Sequence, residues 1–217
     1  MNKILFLAIA ALLTSPVYAQ EMTVNAGKTT FGLRAGINFQ TINGKNANDD
    51  KLKNKLLTRF HGGLNAEIPV GSGFYLQPGL LYTIKGAKLE NTDNKVKLSY
   101  IDIPVNFVYK PVLGVGNMLL GFGPYLGIGI GGKMDNGNNE IDIEFSNDPV
   151  STLNYTQFKK LDAGANLLAG YEFNNKFSFQ LNAQLGLVDI NPEVVNNSND
   201  KTNWRNTGWG VSVGYRF

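Results

Sequence analysis

The feature that most constrains the fold is a strict alternation of apolar and small or polar residues over residues 30–41. Every odd position from Phe31 to Phe39 is apolar, and every even position is small or polar. Because successive side chains of a β-strand point to opposite faces, this pattern predicts a two-faced strand of about ten residues. Seven later segments repeat it. A tilted strand needs about 9 to 11 residues to cross a bilayer, so the sequence predicts an all-β fold, an eight-stranded antiparallel up-and-down transmembrane β-barrel.

The N-terminal segment predicts export. A charged start precedes an apolar run over residues 4–13, and residues 17–19 form a cleavage site with small residues. The run is too short to cross a membrane as a helix, so the pattern is that of a secretory signal peptide over residues 1–19. We expect a flexible periplasmic lead over residues 20–29 and the barrel over residues 30–217.

The connections between the predicted strands alternate between long and short. The long ones are residues 42–57, 86–95, 132–159 and 191–206, and the short ones are residues 69–73, 110–117 and 174–175. Membrane barrels have short periplasmic turns and longer external loops, and an even number of strands returns the chain to its starting side. Both termini are therefore predicted to be periplasmic. Within the longest loop, Ile141, Ile143 and Phe145 alternate with acidic residues, which predicts a hairpin that continues the flanking strands.

The strand glycines decide which face points outward, because nearly all of them share the polar face. The interior of an eight-stranded barrel has room only for packed side chains, so the glycine-rich face is predicted to line the lumen and the apolar face to contact lipid. Aromatic residues mark both ends of the apolar face and predict two interfacial girdles. These are Phe31, Phe74, Tyr109, Phe173, Phe177 and Phe217 near the periplasmic rim, and Phe39, Phe60, Tyr82 and Trp209 near the outer rim.

The inward face also carries charged residues. Four of them, Arg34, Glu67, Glu172 and Arg216, are predicted to lie at one depth near the periplasmic end and to form a salt-bridged layer that fills the lumen. A proton or ion path is the functional alternative. The other inward polar residues are Arg59, His61, Tyr100, Asp102 and Asp162. Pro78 lies within the third strand, where the missing backbone donor predicts a bulge.

Catalytic, metal and cofactor chemistry is weakly indicated. His61 is the single histidine, and small outer-membrane barrels include lipid A acyltransferases and deacylases that use a histidine with a serine and an acid near the outer rim. No serine at that rim shares the inward phase of His61, since Ser99 is in the outward phase. The acidic loop from Asp135 to Asp142 has its glycine at the third position, where the helix-loop-helix calcium motif needs it at the sixth. We expect no catalytic residues, no metal and no cofactor.

The glycine, cysteine and charge patterns give no support for a phosphate-binding loop, a thiolate metal site, a lipid anchor or nucleic-acid binding. The glycine run over residues 121–132 lacks the helix that follows a phosphate-binding loop. The chain has no cysteine and therefore no thiolate metal site or lipid anchor, and its net charge of +3 is not clustered, which gives no argument for nucleic acid.

Five segments together resemble the PorT-like outer-membrane β-barrel family, with the general architecture of the small OmpX-type barrels. They read FGLRAGINFQ, YIDIPVNFVYK, GFGPYLGIGIGG, LDAGANLLAGYEF and GVSVGYRF. The resemblance covers essentially the whole mature chain. It implies an outer-membrane location, and the terminal Tyr215 and Phe217 resemble the aromatic end signal that barrel-insertion machinery reads. It carries no functional motif, so a secretion role is not transferred.

These patterns together favour a non-enzymatic outer-membrane barrel with a plugged lumen, whose outer loops form an interaction or envelope-organising surface. The alternatives are an outer-leaflet lipid-modifying enzyme and then a narrow pore. The expected partners are outer-membrane lipid, lipopolysaccharide, the barrel-insertion machinery and an extracellular ligand of the loops.

Overall fold

The protein is described here by a computed structural model that covers residues 27–90, 92, 94–151, 155–195 and 201–217. The predicted signal peptide and most of the predicted lead lie outside the described residues. Within the described ranges, no helix is long and apolar enough to cross a membrane.

Strands dominate the described chain. In chain order they are β1 (Thr30–Lys45), β2 (Leu57–Gly71), β3 (Phe74–Lys88), β4 (Lys95–Tyr109), β5 (Val112–Leu113), β6 (Gly116–Asp135), β7 (Glu140–Phe145), β8 (Gln157–Phe158), β9 (Leu161–Phe173), β10 (Phe177–Gly186) and β11 (Asn203–Arg216). The strands β5, β7 and β8 are short. The other eight carry the alternating pattern and form the wall of the barrel.

The eight long strands close into a ring. Each pairs antiparallel with its neighbour in the order β4-β3-β2-β1-β11-β10-β9-β6, and β4 also pairs with β6. The first and last strands pair from Gly32 with Arg216 to Lys45 with Asn203. The predicted closed eight-stranded antiparallel barrel is therefore confirmed.

The connections differ in length at the two ends of the barrel. At one end, which we call the turn end, they are residues 72–73, 110–115 and 174–176. At the other, the loop end, they are residues 46–56, 89–94, 136–160 and 187–202. Most long connections are shorter than predicted because polar residues at the loop end continue the strands. Backbone pairing there does not require an apolar side chain, and β1 and β11 remain paired up to Lys45.

The predicted bulge at Pro78 is wrong. In the pairing of β3 with β4, Pro78 lies opposite Val105 and Leu81 lies opposite Asp102. The register is therefore the same on both sides of this part of the strand. A missing donor weakens a ladder without requiring an extra residue, so the strand passes through the proline unshifted. The register shifts instead between Pro69 and Gly71 on β2, and between Ser99 and Tyr100 where β4 meets β6.

The wall changes partners at the loop end. Strand β6 pairs with β9 only as far as Ile128 with Leu161, and beyond that point it pairs with β7, from Gly132 with Ile143 to Asp135 with Glu140. The structure thus contains the hairpin expected within the longest loop. Strand β8 pairs in parallel with β7.

The apolar face of each long strand points outward. Phe31 and Leu167 are each 63% exposed, whereas Gln77 on the inward face is 3% exposed. Outward aromatic rings group at the two ends of the barrel. Phe39 stacks on Trp209 at 4.3 Å toward the loop end, and Phe74 stacks on Tyr109 at 4.7 Å toward the turn end.

Candidate functional site

The lumen at the turn end holds an ion-paired set that we call the turn-end cluster: Glu67, Lys110, Glu172 and Arg216. The Lys110 Nζ lies 2.8 Å from Glu67 Oε1 and 2.6 Å from Glu172 Oε1. The Arg216 guanidinium contacts the same two carboxylates, at 3.2 Å from Glu67 Oε2 and 3.4 Å from Glu172 Oε2. Two cations therefore alternate with two anions, as opposite charges removed from water require.

Arg34 does not belong to this layer, so the prediction that it shares one depth with the other three charges is wrong. The strand register explains the difference, because Arg216 pairs with Gly32 and Arg34 therefore lies two residues farther from the turn end. Its Nη1 donates to Gln180 Oε1 and to Asn182 Oδ1, both at 3.2 Å. Lys110 occupies the place that the sequence assigned to Arg34.

A second charged set, the lysine cluster, lies closer to the loop end. Lys85 Nζ is 3.0 Å from Asp102 Oδ1 and 2.9 Å from Asp162 Oδ2, and the Lys85 side chain is completely buried. Amide groups complete the contacts of the two acids: Gln184 Nε2 donates to Asp102 Oδ2 at 3.1 Å, and Asn206 Nδ2 donates to Asp162 Oδ2 at 2.9 Å.

Two tyrosines enclose the ammonium of the lysine cluster. Lys85 Nζ lies 4.9 Å from the centre of the Tyr100 ring and 4.3 Å from that of Tyr125, which are distances at which a cation is attracted to the ring face. The Tyr125 hydroxyl also donates to Asp162 Oδ1 at 3.1 Å. The predicted inward residues Tyr100, Asp102 and Asp162 thus converge on a lysine.

His61 is buried in the lumen and contacts Asn38, through its Nδ1 and the amide Oδ1. Ser99, by contrast, faces outward, where its hydroxyl is 3.0 Å from that of Tyr82. Among the described hydrogen bonds of His61, none is to a serine or a carboxylate. The constellation that nucleophilic catalysis requires is therefore not assembled around this histidine in the described chain.

Arg59 lies differently from its predicted inward position. Its guanidinium donates to the Thr58 carbonyl oxygen at 2.9 Å in an exposed position, and its side chain lines a surface groove beside outward-facing Tyr82. The pairing of β2 with β3 runs along the barrel only up to His61 with Thr83. Beyond that pair β2 remains paired with β1, at Arg59 with Asn38, but not with β3, so the long Arg59 side chain reaches the groove at the unpaired edge of β2.

A small cavity of about 50 Å³ separates the two charged sets. Most of the residues that line it are of polar types, including Arg34, Asn38, His61 and Asn106. Two buried polar atoms of these residues, Arg34 Nε and Asn106 Oδ1, have no hydrogen-bond partner among the described residues. A polar cavity of this size has room for a few water molecules, which would satisfy such atoms.

The loop end holds a hydrophobic cluster that we call the apolar cap, formed by buried residues from several strands and loops: Ile42, Ala87, Leu89, Val96, Leu98, Tyr100, Ile143, Phe158, Ile190 and Trp204. Tyr155 stacks on Trp204 at 4.7 Å with an interplanar angle of 7°. The Phe145 ring lies directly against Gly129, where a Cβ atom would come within 2.3 Å of it. The loop that carries β7 and β8 therefore supplies part of the cap.

No group of three or more His, Cys, Asp or Glu residues among those described is arranged to hold a metal ion. The acidic loop considered for calcium has lysine partners instead. Lys97 contacts both Asp135, at 3.1 Å, and Glu140, at 2.8 Å. A cation would have to displace these lysines before it could use the carboxylates.

Sequence reasoning missed two functional-site residues, Lys85 and Lys110. Both continue the inward phase of a strand, Lys85 two residues after Thr83 and Lys110 two residues after Val108. They could have been found by continuing the inward alternation of each predicted strand beyond its last apolar residue. The prediction ended each strand where apolar side chains ended.

A family model described as the outer membrane protein beta-barrel domain matches residues 18–191. A comparison with curated proteins gave no match. Similar solved structures include Ail, the attachment invasion locus protein of Yersinia pestis, which is 12% identical over 88% of this chain and 100% of that chain, with a TM-score of 0.44. Neisserial surface protein A is 11% identical over 88% of this chain and 100% of its own, with a TM-score of 0.47.

The β-barrel domain of Pseudomonas aeruginosa OprF is 13% identical over 89% of this chain and 100% of that chain, with a TM-score of 0.43. All three TM-scores are below 0.5, so the assignment depends on the family match. That match covers most of the chain and agrees with the closed barrel. The chain therefore belongs to the outer membrane β-barrel domain family and is an outer-membrane β-barrel protein.

Proposed function

We propose that this protein is a non-enzymatic outer-membrane barrel with a plugged lumen, and that its loop end presents an interaction or envelope-organising surface to the outside. The observation that carries the proposal is that buried side chains contact one another at three successive levels along the lumen. The turn-end cluster and the lysine cluster are ion-paired, and the apolar cap is a cluster of buried hydrophobic side chains. An eight-stranded barrel leaves little more space than side chains need.

The chemistry of the three levels supports a plug rather than an ion path. In the two charged levels, cations and anions satisfy one another, so an ion entering the lumen would have to break buried pairs. The cap contributes apolar side chains, which give an ion no compensating contacts. The small polar cavity between the charged levels is large enough for a few waters only.

The proposal includes an orientation. The turn end, which also carries both chain ends of the barrel, would lie in the periplasm, and the long connections would lie outside, as is usual for barrels of this kind. Tyr215 and Phe217 would then be read by the barrel-insertion machinery. Membership of the PorT-like subgroup is part of the same proposal and rests on the five sequence segments.

Planar-bilayer recording tests the plug. We expect purified wild-type protein to give no steady ion conductance. We expect the double variant Glu67→Gln/Glu172→Gln to lose stability in urea, because Lys110 and Arg216 would both lose their carboxylate partners, and breaking a buried pair costs roughly 3 to 5 kcal/mol. Stable ohmic currents from the wild type, unchanged in the double variant, would contradict the plug and favour the pore.

A lipid-modifying enzyme is the second candidate, and His61 is the residue that would carry it. Its described partner is Asn38, which has no acid-base role at neutral pH, and His61 itself is buried. Both observations favour the non-enzymatic proposal. Mass spectrometry of lipid A from cells with and without the gene tests it, since a change in acyl chains would support the enzyme.

A further inference from the structure

A groove of about 740 Å³ lies on the outer wall of the barrel at the loop end, across β10, β11 and β1. We call it the rim groove. Its floor includes the side chains of Leu185 and Leu187, which are 54% and 56% exposed. Its upper part is lined by four cationic residues, Lys45, Lys51, Lys201 and Arg205. The volume is within the range of sites that bind small molecules.

The strand register places the groove directly beyond the aromatic band. Phe39 pairs with Trp209, the next outward pair is Thr41 with Thr207, and the one after it is Asn43 with Arg205. Leu185 pairs with Thr207 from the other side. Aromatic side chains of membrane barrels lie at the interface between hydrocarbon and headgroups. The apolar floor therefore faces the hydrocarbon boundary, and the cations lie at headgroup height.

The rim groove is electropositive. Asp49 is the one acidic residue among the described residues that line it, and Asp49 Oδ1 accepts a hydrogen bond from Lys45 Nζ at 2.8 Å. That hydrogen bond, together with the charges of Lys45 and Lys201, lowers the pKa of Asp49. Among the ion pairs between described residues, none involves Lys51, Lys201 or Arg205. The lining thus has a formal excess of three positive charges, from four cations and one anion.

A ligand that matches this surface is an amphiphile with a multiply anionic headgroup. Its chains would lie on Leu185, Phe39 and Trp209, and its anionic groups would accept charge-assisted hydrogen bonds from the lysines and the arginine. In the outer leaflet of an outer membrane, the amphiphile that combines several acyl chains with two phosphates is the lipid A part of lipopolysaccharide.

We infer that the rim groove binds the lipid A phosphates of lipopolysaccharide in the outer leaflet, with Lys51, Lys201 and Arg205 as the main phosphate contacts. The inference rests on the proposed orientation, in which the loop end faces outward. It assigns a specific lipid site to the outer side of the loop end, separate from the lumen and built from both strand and loop residues.

Native mass spectrometry of the full-length mature protein in detergent tests the inference. The probes are diphosphoryl lipid A, monophosphoryl lipid A and soluble tripolyphosphate. The test variant is Lys51→Gln/Lys201→Gln/Arg205→Gln, and the control is Lys53→Gln/Lys133→Gln/Lys160→Gln, which removes the same charge from other residues near the loop end. All of these substitutions remove side chains that do not pack in the barrel interior. Circular dichroism should show unchanged strand content in both variants.

We expect wild-type protein and the control to retain diphosphoryl lipid A more tightly than the monophosphoryl form. The test variant should lose at least about tenfold in affinity, since one charge-assisted contact accounts for about that factor. Equal binding by the test variant and the control would overturn the inference. Tripolyphosphate binding equal to that of lipid A would also overturn it, because it would identify a soluble polyanion as the ligand.

The binding assay is independent of the two measurements that test the proposed function. If the wild type conducts ions and the test variant binds lipid A more weakly, the plug is rejected and the lipid A site is retained. If the wild type does not conduct ions and all variants bind lipid A equally, the lipid A site is rejected and the plug is retained.

Discussion

Lys85 is the residue on which the middle of the lumen depends. It lies between two carboxylates and two tyrosine rings and has no access to solvent. An ammonium is costly to bury, and it is stable there only because the two acids and the ring faces replace its water. The acids depend equally on the lysine, since without it Asp102 and Asp162 would face each other with two amides and the Tyr125 hydroxyl as their remaining partners.

We predict that Lys85→Met lowers the free energy of unfolding by about 3 to 5 kcal/mol, the usual cost of removing one partner from a buried ion pair. Urea unfolding in lipid vesicles measures it. Adding Asp102→Asn and Asp162→Asn to the same chain removes the uncompensated charge, and we expect that triple variant to recover part of the loss. A single variant as stable as the wild type would show that the lysine cluster is not a stabilising unit.

The absence of a side chain at Gly129 leaves room for the Phe145 ring in the cap. A Cβ atom at this position would lie 2.3 Å from the Phe145 ring, whereas a Cβ atom at Gly131 would have no neighbour within 4 Å. We predict that Gly129→Ala costs about 1 to 3 kcal/mol, as overpacking of a core does, and that Gly131→Ala is close to neutral. Thermal unfolding of both variants measures this difference. Equal melting temperatures would show that Phe145 moves aside freely.

At the scale of one element, β11 has the period of two in its clearest form. Val211 pairs with Ile37 and Leu181 on the outward face, whereas the next residue, Ser212, is almost fully buried on the inward face. Because strand phase is exact, one residue separates a position in lipid from a position in the lumen. The two residues are adjacent in the chain, but the side chain of one faces lipid and that of the other faces the lumen.

We predict that Val211→Arg impairs membrane insertion by about 2 to 4 kcal/mol, the cost of an arginine on the lipid face near the midplane. Ser212→Arg is the matched substitution, and we expect it to insert but to lose stability because it crowds the lumen. Insertion into vesicles, followed by urea unfolding, separates the two effects. Normal insertion of Val211→Arg would reverse the assignment of the two faces.

Strand phase explains how much could be predicted from the sequence. Alternation in eight segments and the placement of glycines were enough to predict the barrel and its two faces, because both patterns are visible along the sequence without knowledge of how the strands pair. Arg34 was misplaced because depth depends on register between strands, which no single strand contains. Lys85 was missed because it follows Ile84, where the predicted third strand ended. The cap could not be predicted, because Phe145 meets Gly129 only after a loop folds back over the mouth.

At the scale of the whole molecule, the two ends of the barrel differ in construction. The turn end has short connections, such as residues 72–73, whereas the loop end extends into β7, β8 and the cap. We predict that a protease site inserted at Asn138 is cleaved on intact cells and that one inserted at Gly114 is protected. Western blotting with and without permeabilisation measures both. Cleavage at Gly114 in intact cells, with protection at Asn138, would invert the proposed orientation.

The pairing of β1 with β11 also has a consequence for biogenesis. This seam joins residues near the two ends of the barrel sequence, up to the hydrogen bond from the Phe217 amide to the Phe31 carbonyl oxygen at 2.8 Å. Until the last strand is synthesised, β1 and β10 each present an unsatisfied backbone edge, which is the surface on which strands of other chains add. A chain that stops before residue 203 would therefore remain an open sheet prone to pairing with other copies, and the cell must hold the nascent chain apart until its final residues have been exported.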